Sequence, residues 1–348
     1  MKIYEVPQYA SDLEKELKNT DLDFLRGKSI LITGSTGLIC SALVDMLLFG
    51  NKHFNTEIHI FAAGRNEEKI RQRFDFSGGD ISFFEYDALK PLESSEHFDY
   101  IVHGASNASP ELYVSQPVET MLSNIGGIDN LFRVAIKNGT KRLLYISSSE
   151  VYGRKDHSGP FGENEYGYVD ILNVRSSYPS GKRASETLCR AYGSEYGIET
   201  VIVRPGHIYG PTATPNDKRI SSNFAYRAAN GENLVMKSRG TQLRSYCYCL
   251  DCASAILTVL GKGENGQAYN ISNSESIITI YRMAQLLANS AGVHLEVTSA
   301  NEQDKTIFNP MENSSLEAHK LEALGWTGIF NAETGITHTV SILRELLC

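Results

Sequence analysis

The run Lys28-Ser-Ile-Leu-Ile-Thr33-Gly34-Ser-Thr-Gly37-Leu-Ile-Cys40 decides the fold. A short apolar stretch stops at Gly34, as a strand covered on both faces of a parallel sheet does. Helix-forming residues follow from Ala42 to Phe49. The two glycines therefore stand at a strand-to-helix junction, where backbone N–H groups can approach a pyrophosphate at the positive end of the helix. Gly34 and Gly37 serve the tight turn and the close approach. The spacing is G-x-x-G-x-x-C, so the position where a third glycine eases helix–strand packing holds Cys40, a small thiol that fits at some packing cost.

Working outward, the period repeats. Strand-like runs fall at 57–62, 81–85, 100–103, 142–147 and 200–204, with helical stretches at 67–74, 118–138 and 181–196. Strands alternating with helices of this length predict an α/β fold, a Rossmann-type doubly wound parallel sheet with helices on both faces. After Arg204 the rhythm breaks: Pro205, Pro211 and Pro215 with Gly206 and Gly210 make a loop, and shorter mixed elements follow. The expected organisation is an N-terminal extension at 1–26, a dinucleotide-binding domain at 27–204, and a smaller C-terminal substrate-binding lobe at 205–243 and 263–348. Residues 244–262 are expected to return to the first domain. The extension reads as a short polar helix with a modest stripe at Leu13 and Leu17. Lys320 to Gly325 reads as a helix with the only tryptophan, Trp326, directly after its cap.

Composition narrows the function. The 348 residues carry 33 Lys+Arg against 41 Asp+Glu, a net charge of −8, which argues against a surface built to bind nucleic-acid phosphates. With 41% hydrophobic and 21% charged residues the chain can bury a sizeable core. No apolar run is long enough for a membrane helix. The opening MKIYEVPQYASDLEKELKNTD lacks a signal peptide's apolar stretch, so the six cysteines are expected to be reduced thiols of a cytoplasmic protein. Cys247-Tyr-Cys249-Leu-Asp-Cys252 is not expected to hold a metal: alternate residues of a strand face opposite ways, and a fourth ligand is missing. Ser148 lacks the G-x-S-x-G setting of a hydrolase nucleophile.

Two further pieces carry chemistry: Ser147-Ser148-Ser149-Glu150-Val-Tyr152-Gly153, ending the fifth strand, and Arg175-Ser-Ser-Tyr178-Pro-Ser-Gly-Lys182, opening the next helix. Tyr178 and Lys182 are four apart, hence on one helical face. An ammonium beside a phenol is expected to lower the phenol's pKa and make it a usable base. A hydroxyl from Ser148 can share the substrate oxygen. This is a layout for taking the proton of a sugar or alcohol OH while hydride leaves for a nicotinamide. The second strand ends Ile60-Phe-Ala-Ala-Gly64-Arg65-Asn66 without the acid that normally meets the ribose of NAD. Arg65 is left to stack on adenine, to hold a 2′-phosphate, or to begin the next helix. The cofactor is read as NAD, with NADP open. Asp87, after the third strand, either accepts from the adenine amino group or caps a turn.

These pieces resemble the extended short-chain dehydrogenases/reductases, the family of nucleotide-sugar epimerases, dehydratases and decarboxylases, from residue 28 to about 345. His103-Gly-Ala-Ser106 resembles the family's segment beside the cofactor, and Lys320–Trp326 its K-x-x-x-L-G-W. Arg204-Pro-Gly-His207-Ile-Tyr-Gly-Pro211 resembles its R-P-x-N-x-Y-G-P, and Arg244-Ser-Tyr246 its phosphate-binding arginine. One departure is His207 in place of the family asparagine, which is expected to make a phosphate contact pH-dependent. Glu150 resembles the glutamate of the decarboxylases and of the 4,6-dehydratases of the GDP-mannose type, while Ala108-Ser109-Pro110, Arg175 and the stretch Asn216 to Phe224 resemble the UDP-glucuronate decarboxylases. The proline that usually precedes Arg175 is absent, and Pro179-Ser180 replaces an acidic pair.

The resemblance implies catalytic roles for Ser148, Glu150, Tyr178 and Lys182. It places the cofactor on Gly34, Thr36, Gly37, Leu38, Ile39, Arg65, Asp87, Ala105, Tyr178 and Lys182. It places a nucleotide sugar on Ser109, Ser149, Arg175, His207, Arg219, Asn223 and Arg244. Oxidation at the sugar C4 would give a 4-keto intermediate, followed by decarboxylation, 4,6-dehydration or epimerisation. A one-way NADPH-dependent 4-keto-sugar reductase and a catalytically retired nucleotide-sensing scaffold are the alternatives. The family's assembly implies a homodimer formed by the helices at 118–138 and 181–196.

Overall fold

The structure, a computed structural model, describes residues 2–155, 159–299 and 311–348. Helix α1 (Pro7–Leu17) precedes an alternation of β1 (Ser29–Thr33), α2 (Leu38–Phe54), β2 (His59–Gly64), α3 (Glu67–Arg73), β3 (Ile81–Glu85) and β4 (Tyr100–His103). Then come α4 (Pro110–Ser115), α5 (Pro117–Asn138), β5 (Arg142–Ile146), α6 (Ser177–Tyr196) and β6 (Glu199–Pro205). The remainder is β7 (His207–Tyr209), α7 (Ile220–Ala229), β8 (Leu234–Met236), β9 (Leu243–Tyr248), α8 (Cys249–Lys262), β10 (Ala268–Ile271), β11 (Ile277–Thr279), α9 (Ile280–Ala291), β12 (Leu295–Val297), β13 (Asn313–Ser314), α10 (His319–Glu322) and α11 (Ala332–Leu347).

Seven strands form one parallel sheet in the order β10-β6-β5-β4-β1-β2-β3. The order reverses between β1 and β4, the crevice where ligands bind in such sheets. The strand pleat divides the core: Ile30 and Ile32 join one buried cluster with α2 and α8, whereas Leu31 joins another with α5 and α6. A second sheet, β11-β9-β13 with β7 paired to β9, carries the other wall of the cleft.

Three boundaries differ from the sequence reading. The N-terminal segment is not a polar appendage: Tyr9, Asp12, Leu13, Glu16 and Leu17 of α1 are buried against α2, α8 and α11. The segment 244–262 divides, because β9 hydrogen-bonds within the second sheet while α8 packs on α2 and β6. Residues 268–271, placed by sequence in the smaller lobe, are the edge strand of the main sheet, paired parallel to β6. Short strands with no alternating helix leave no periodic signal of which sheet they join. Cys247, Cys249 and Cys252 are buried free thiols.

Candidate active site

The glycine junction has the chemistry of an anion cradle. Gly34 has φ +71°, and a Cβ there would lie 3.0 Å from the Ala105 backbone, so only glycine permits this approach of the first and fourth strand ends. Gly37 stands at the N-cap of α2 with no side chain capping it, which leaves the first-turn amides of Leu38 and Ile39 free of a side-chain acceptor. These residues fit a dinucleotide pyrophosphate. Thr33 Oγ1 ties the neighbouring strand ends, meeting His103 Nδ1 at 2.7 Å and accepting from Gly104 N and Ala105 N at 3.2 Å each. Cys40 is accommodated by Gly104, where a Cβ would come within 2.3 Å of its sulfur. Thr36 is half-buried on the junction and Arg65 is exposed just beyond β2. Asp87 caps its own turn, accepting from Leu89 N at 3.1 Å with Lys90 at 3.9 Å.

Beyond β5 the chain turns through a short 3-10 segment, Ser149–Tyr152, whose N-cap is Ser148: its Oγ accepts from Glu150 N at 3.2 Å. This turn, with Ser149 buried at its start, sends the Glu150 carboxylate toward Arg175, which it accepts bidentately at 2.9 and 3.0 Å. Three residues after Arg175, Tyr178 lies in the first turn of α6 with 5% of its surface exposed. Tyr113, from α4, lies flat on it, with ring centroids 4.3 Å apart and planes 9° apart. The sequence reading missed Tyr113. Its only signal was an aromatic three residues into a Pro-initiated helix after the fourth strand.

The electrostatics differ from the expectation. Burial pushes the Tyr178 phenol up to about 12, opposed by its hydrogen bond with Ser148 and raised further by the Glu150 charge. Arg219 acts to lower it. Lys182 is itself pushed down to about 7 by burial. Its Nζ donates to Ile146 O at 2.8 Å and stands 4.7 Å from the Tyr145 ring and 5.7 Å from that of Tyr178. The i,i+4 spacing gave the shared face correctly. It carried no information on desolvation, which here outweighs the ammonium–phenol attraction.

Across the cleft stand two more arginines. Arg219 Nε donates to both carboxylate oxygens of Asp217 at 3.0 Å. Arg244, on β9, is 2% exposed; its guanidinium donates to Leu243 O at 2.8 Å and has no carboxylate partner among the described residues. His207 sits opposite Tyr246 in the β7–β9 register, their rings 5.7 Å apart. Its Nδ1 is buried without a partner, and burial together with Arg244 and Arg219 pushes its pKa to about 3. The imidazole is therefore neutral near pH 7, which removes the expected pH-dependent charge. Ser109 begins α4 without capping it by its side chain, and Asn223 is exposed on α7. Arg204 lies outside the cleft, bonded to Glu186 and to the Tyr152 and Tyr166 hydroxyls as a structural bracket.

The profile of the NAD-dependent epimerase/dehydratase family matches residues 30–272. The chain is 31% identical over 322 residues to UDP-glucuronic acid decarboxylase 1 of Xenopus tropicalis, covering 92% of this chain and 73% of that protein. It is 32% identical over 298 residues to UDP-glucuronic acid decarboxylase 3 of Arabidopsis thaliana, covering 85% and 83% respectively. Among solved structures, dTDP-glucose 4,6-dehydratase DesIV of Streptomyces venezuelae, with NAD bound, superposes with a TM-score of 0.78 at 23% identity, covering 91% of this chain and 97% of its own.

Proposed function

Since the chain belongs to the NAD-dependent epimerase/dehydratase family, we propose that this nucleotide-sugar-modifying enzyme oxidises UDP-glucuronate at C4 and decarboxylates the resulting 4-keto sugar. The observation that carries an anionic substrate is Arg244: of the three arginines in the cleft, Arg175 and Arg219 are neutralised by Glu150 and Asp217, and among the described residues Arg244 alone lacks a carboxylate, while the choice of UDP-glucuronate rests on the likeness to the decarboxylases. A buried guanidinium left so calls for an anionic substrate group, and a sugar carboxylate or a phosphate supplies one. The likeness to the decarboxylases supports the same substrate.

In this reading Tyr178 takes the C4 hydroxyl proton as a phenolate, a form that burial alone disfavours and that the positive charge of an oxidised nicotinamide would favour, and Ser148 hydrogen-bonds the same oxygen. Lys182, its ammonium disfavoured by burial, stands beside the phenol on the same helical face, its Nζ fixed by Ile146 O. A dinucleotide would supply the hydride acceptor, and Gly34, Gly37, Leu38 and Ile39 would hold its pyrophosphate. A ketone at C4 makes the C6 carboxylate that of a β-keto acid, which loses carbon dioxide and leaves an enolate at C5. Glu150, held by Arg175, stands to guide the proton that C5 then takes up. Return of the hydride to C4 would leave no reduced dinucleotide behind, unlike the cycle of a one-way reductase. A cytoplasmic setting would keep the buried thiols reduced.

The test is mass spectrometry of products from UDP-glucuronate in heavy water, alongside UDP-, dTDP-, CDP- and GDP-hexoses. Loss of carbon dioxide with one deuterium fixed in the sugar is expected. An unchanged UDP-glucuronate overturns the proposal. Tyr178→Phe is expected to slow turnover by about 10²–10⁴-fold while still binding the nucleotide sugar.

A further inference from the structure

The last residues of β2 lie against the glycine junction: Gly34 N and Ser35 N donate to Ala63 O at 3.1 and 3.3 Å. At this point in a dinucleotide site an acidic side chain accepts from the adenosine ribose, and the same charge repels a 2′-phosphate. None stands there in this chain, where β2 ends Ala62-Ala63-Gly64 and Arg65 follows. The next acids are committed elsewhere. Glu67 accepts from Arg71 at 2.7 Å and Glu68 from Gln72 at 3.1 Å, both along α3. Asn66 is used as the N-cap of α3, accepting from Lys69 N at 2.9 Å. Asp45, on α2, is buried and holds Arg73 and the Tyr9 hydroxyl. The Ser35 hydroxyl donates back to Ala63 O. Arg65 is exposed, with no carboxylate within ion-pair distance among the described residues. The adenosine end of the site therefore offers the ribose an uncommitted guanidinium and no acceptor charge. A guanidinium fork matches a phosphate bidentately and gains little from a hydroxyl.

We propose that the adenosine subsite admits a 2′-phosphate, so that this chain binds NADP at least as tightly as NAD, with Arg65 as the discriminating contact. The inference rests on the dinucleotide site of the proposed function, and not on which sugar is processed. Isothermal titration of the purified protein, freed of bound nucleotide and without any sugar, measures both dissociation constants. NADP is expected to bind as tightly as NAD or tighter. Arg65→Ala is expected to weaken NADP by about tenfold or more, the worth of one charge-assisted contact. The same change, at an exposed side chain, is expected to alter NAD binding by less than about twofold. Wild-type protein that binds NADP about tenfold more weakly than NAD overturns the proposal, as does an Arg65→Ala effect equal for both nucleotides. Binding of neither nucleotide overturns the dinucleotide site itself, a separate result.

Discussion

Lys182 shows how a motif can be read correctly for position and wrongly for charge. Its place one turn from Tyr178 follows from the four-residue spacing, but its ionisation follows from what surrounds it, and those neighbours come from β5 and α6 together. Because its folded pKa of about 7 lies below the ordinary 10.5, the unfolded chain binds more protons between those values. Stability therefore rises with pH across that window, and the full penalty of burial is present below pH 7. At about 1.4 kcal/mol per pKa unit, the penalty amounts to up to about 5 kcal/mol. Lys182→Met is expected to abolish turnover yet raise the melting temperature, most at pH 6 to 7 and progressively less toward pH 10. A gain independent of pH would contradict the assignment. Tyr113 was illegible for a related reason: a stacking partner brought in from another element leaves no local pattern.

At the scale of elements, α1 separates the reliable from the unreliable signal. The stripe of Leu13 and Leu17 was visible, and both are buried. Its polar residues carried no such signal, yet Asp12 accepts from the Tyr248 hydroxyl at 3.0 Å and pairs with His338 at 3.0 Å. Burial, and then the facing Asp251, raise the Glu16 carboxyl well above the usual range. Buried acids are tolerated only with such partners, and these lie on β9, α8 and α11, far along the chain. Leu13→Ala should cost about 2–5 kcal/mol in urea unfolding, because its side chain is wholly enclosed. Glu14→Ala, on the exposed face, should stay within about 0.5 kcal/mol. Comparable losses for both would mean that α1 is held by its surface and not by its core face.

For the whole molecule, the parallel sheet was legible because each buried strand is an apolar run followed by a helix. The edge strand β10 and the second sheet were not, since their partners are chosen by crossovers that leave no period in the sequence. Assembly is a matter of the same scale. Val118, Met121 and Leu122 of α5 are 62%, 37% and 56% exposed, an apolar face beside α6 that a second copy would cover. Light scattering is expected to give a dimer for the wild type and a monomer for Met121→Glu; a wild-type monomer would refute the homodimer. The fit between Cys40 and Gly104 has a consequence of another kind. Space missing at one position is volume spent at the other, so the two are a single choice written twice. A lineage that enlarges residue 104 needs room from residue 40, and from Ile146 and the Thr33 carbonyl beside it, so the order of such changes is constrained.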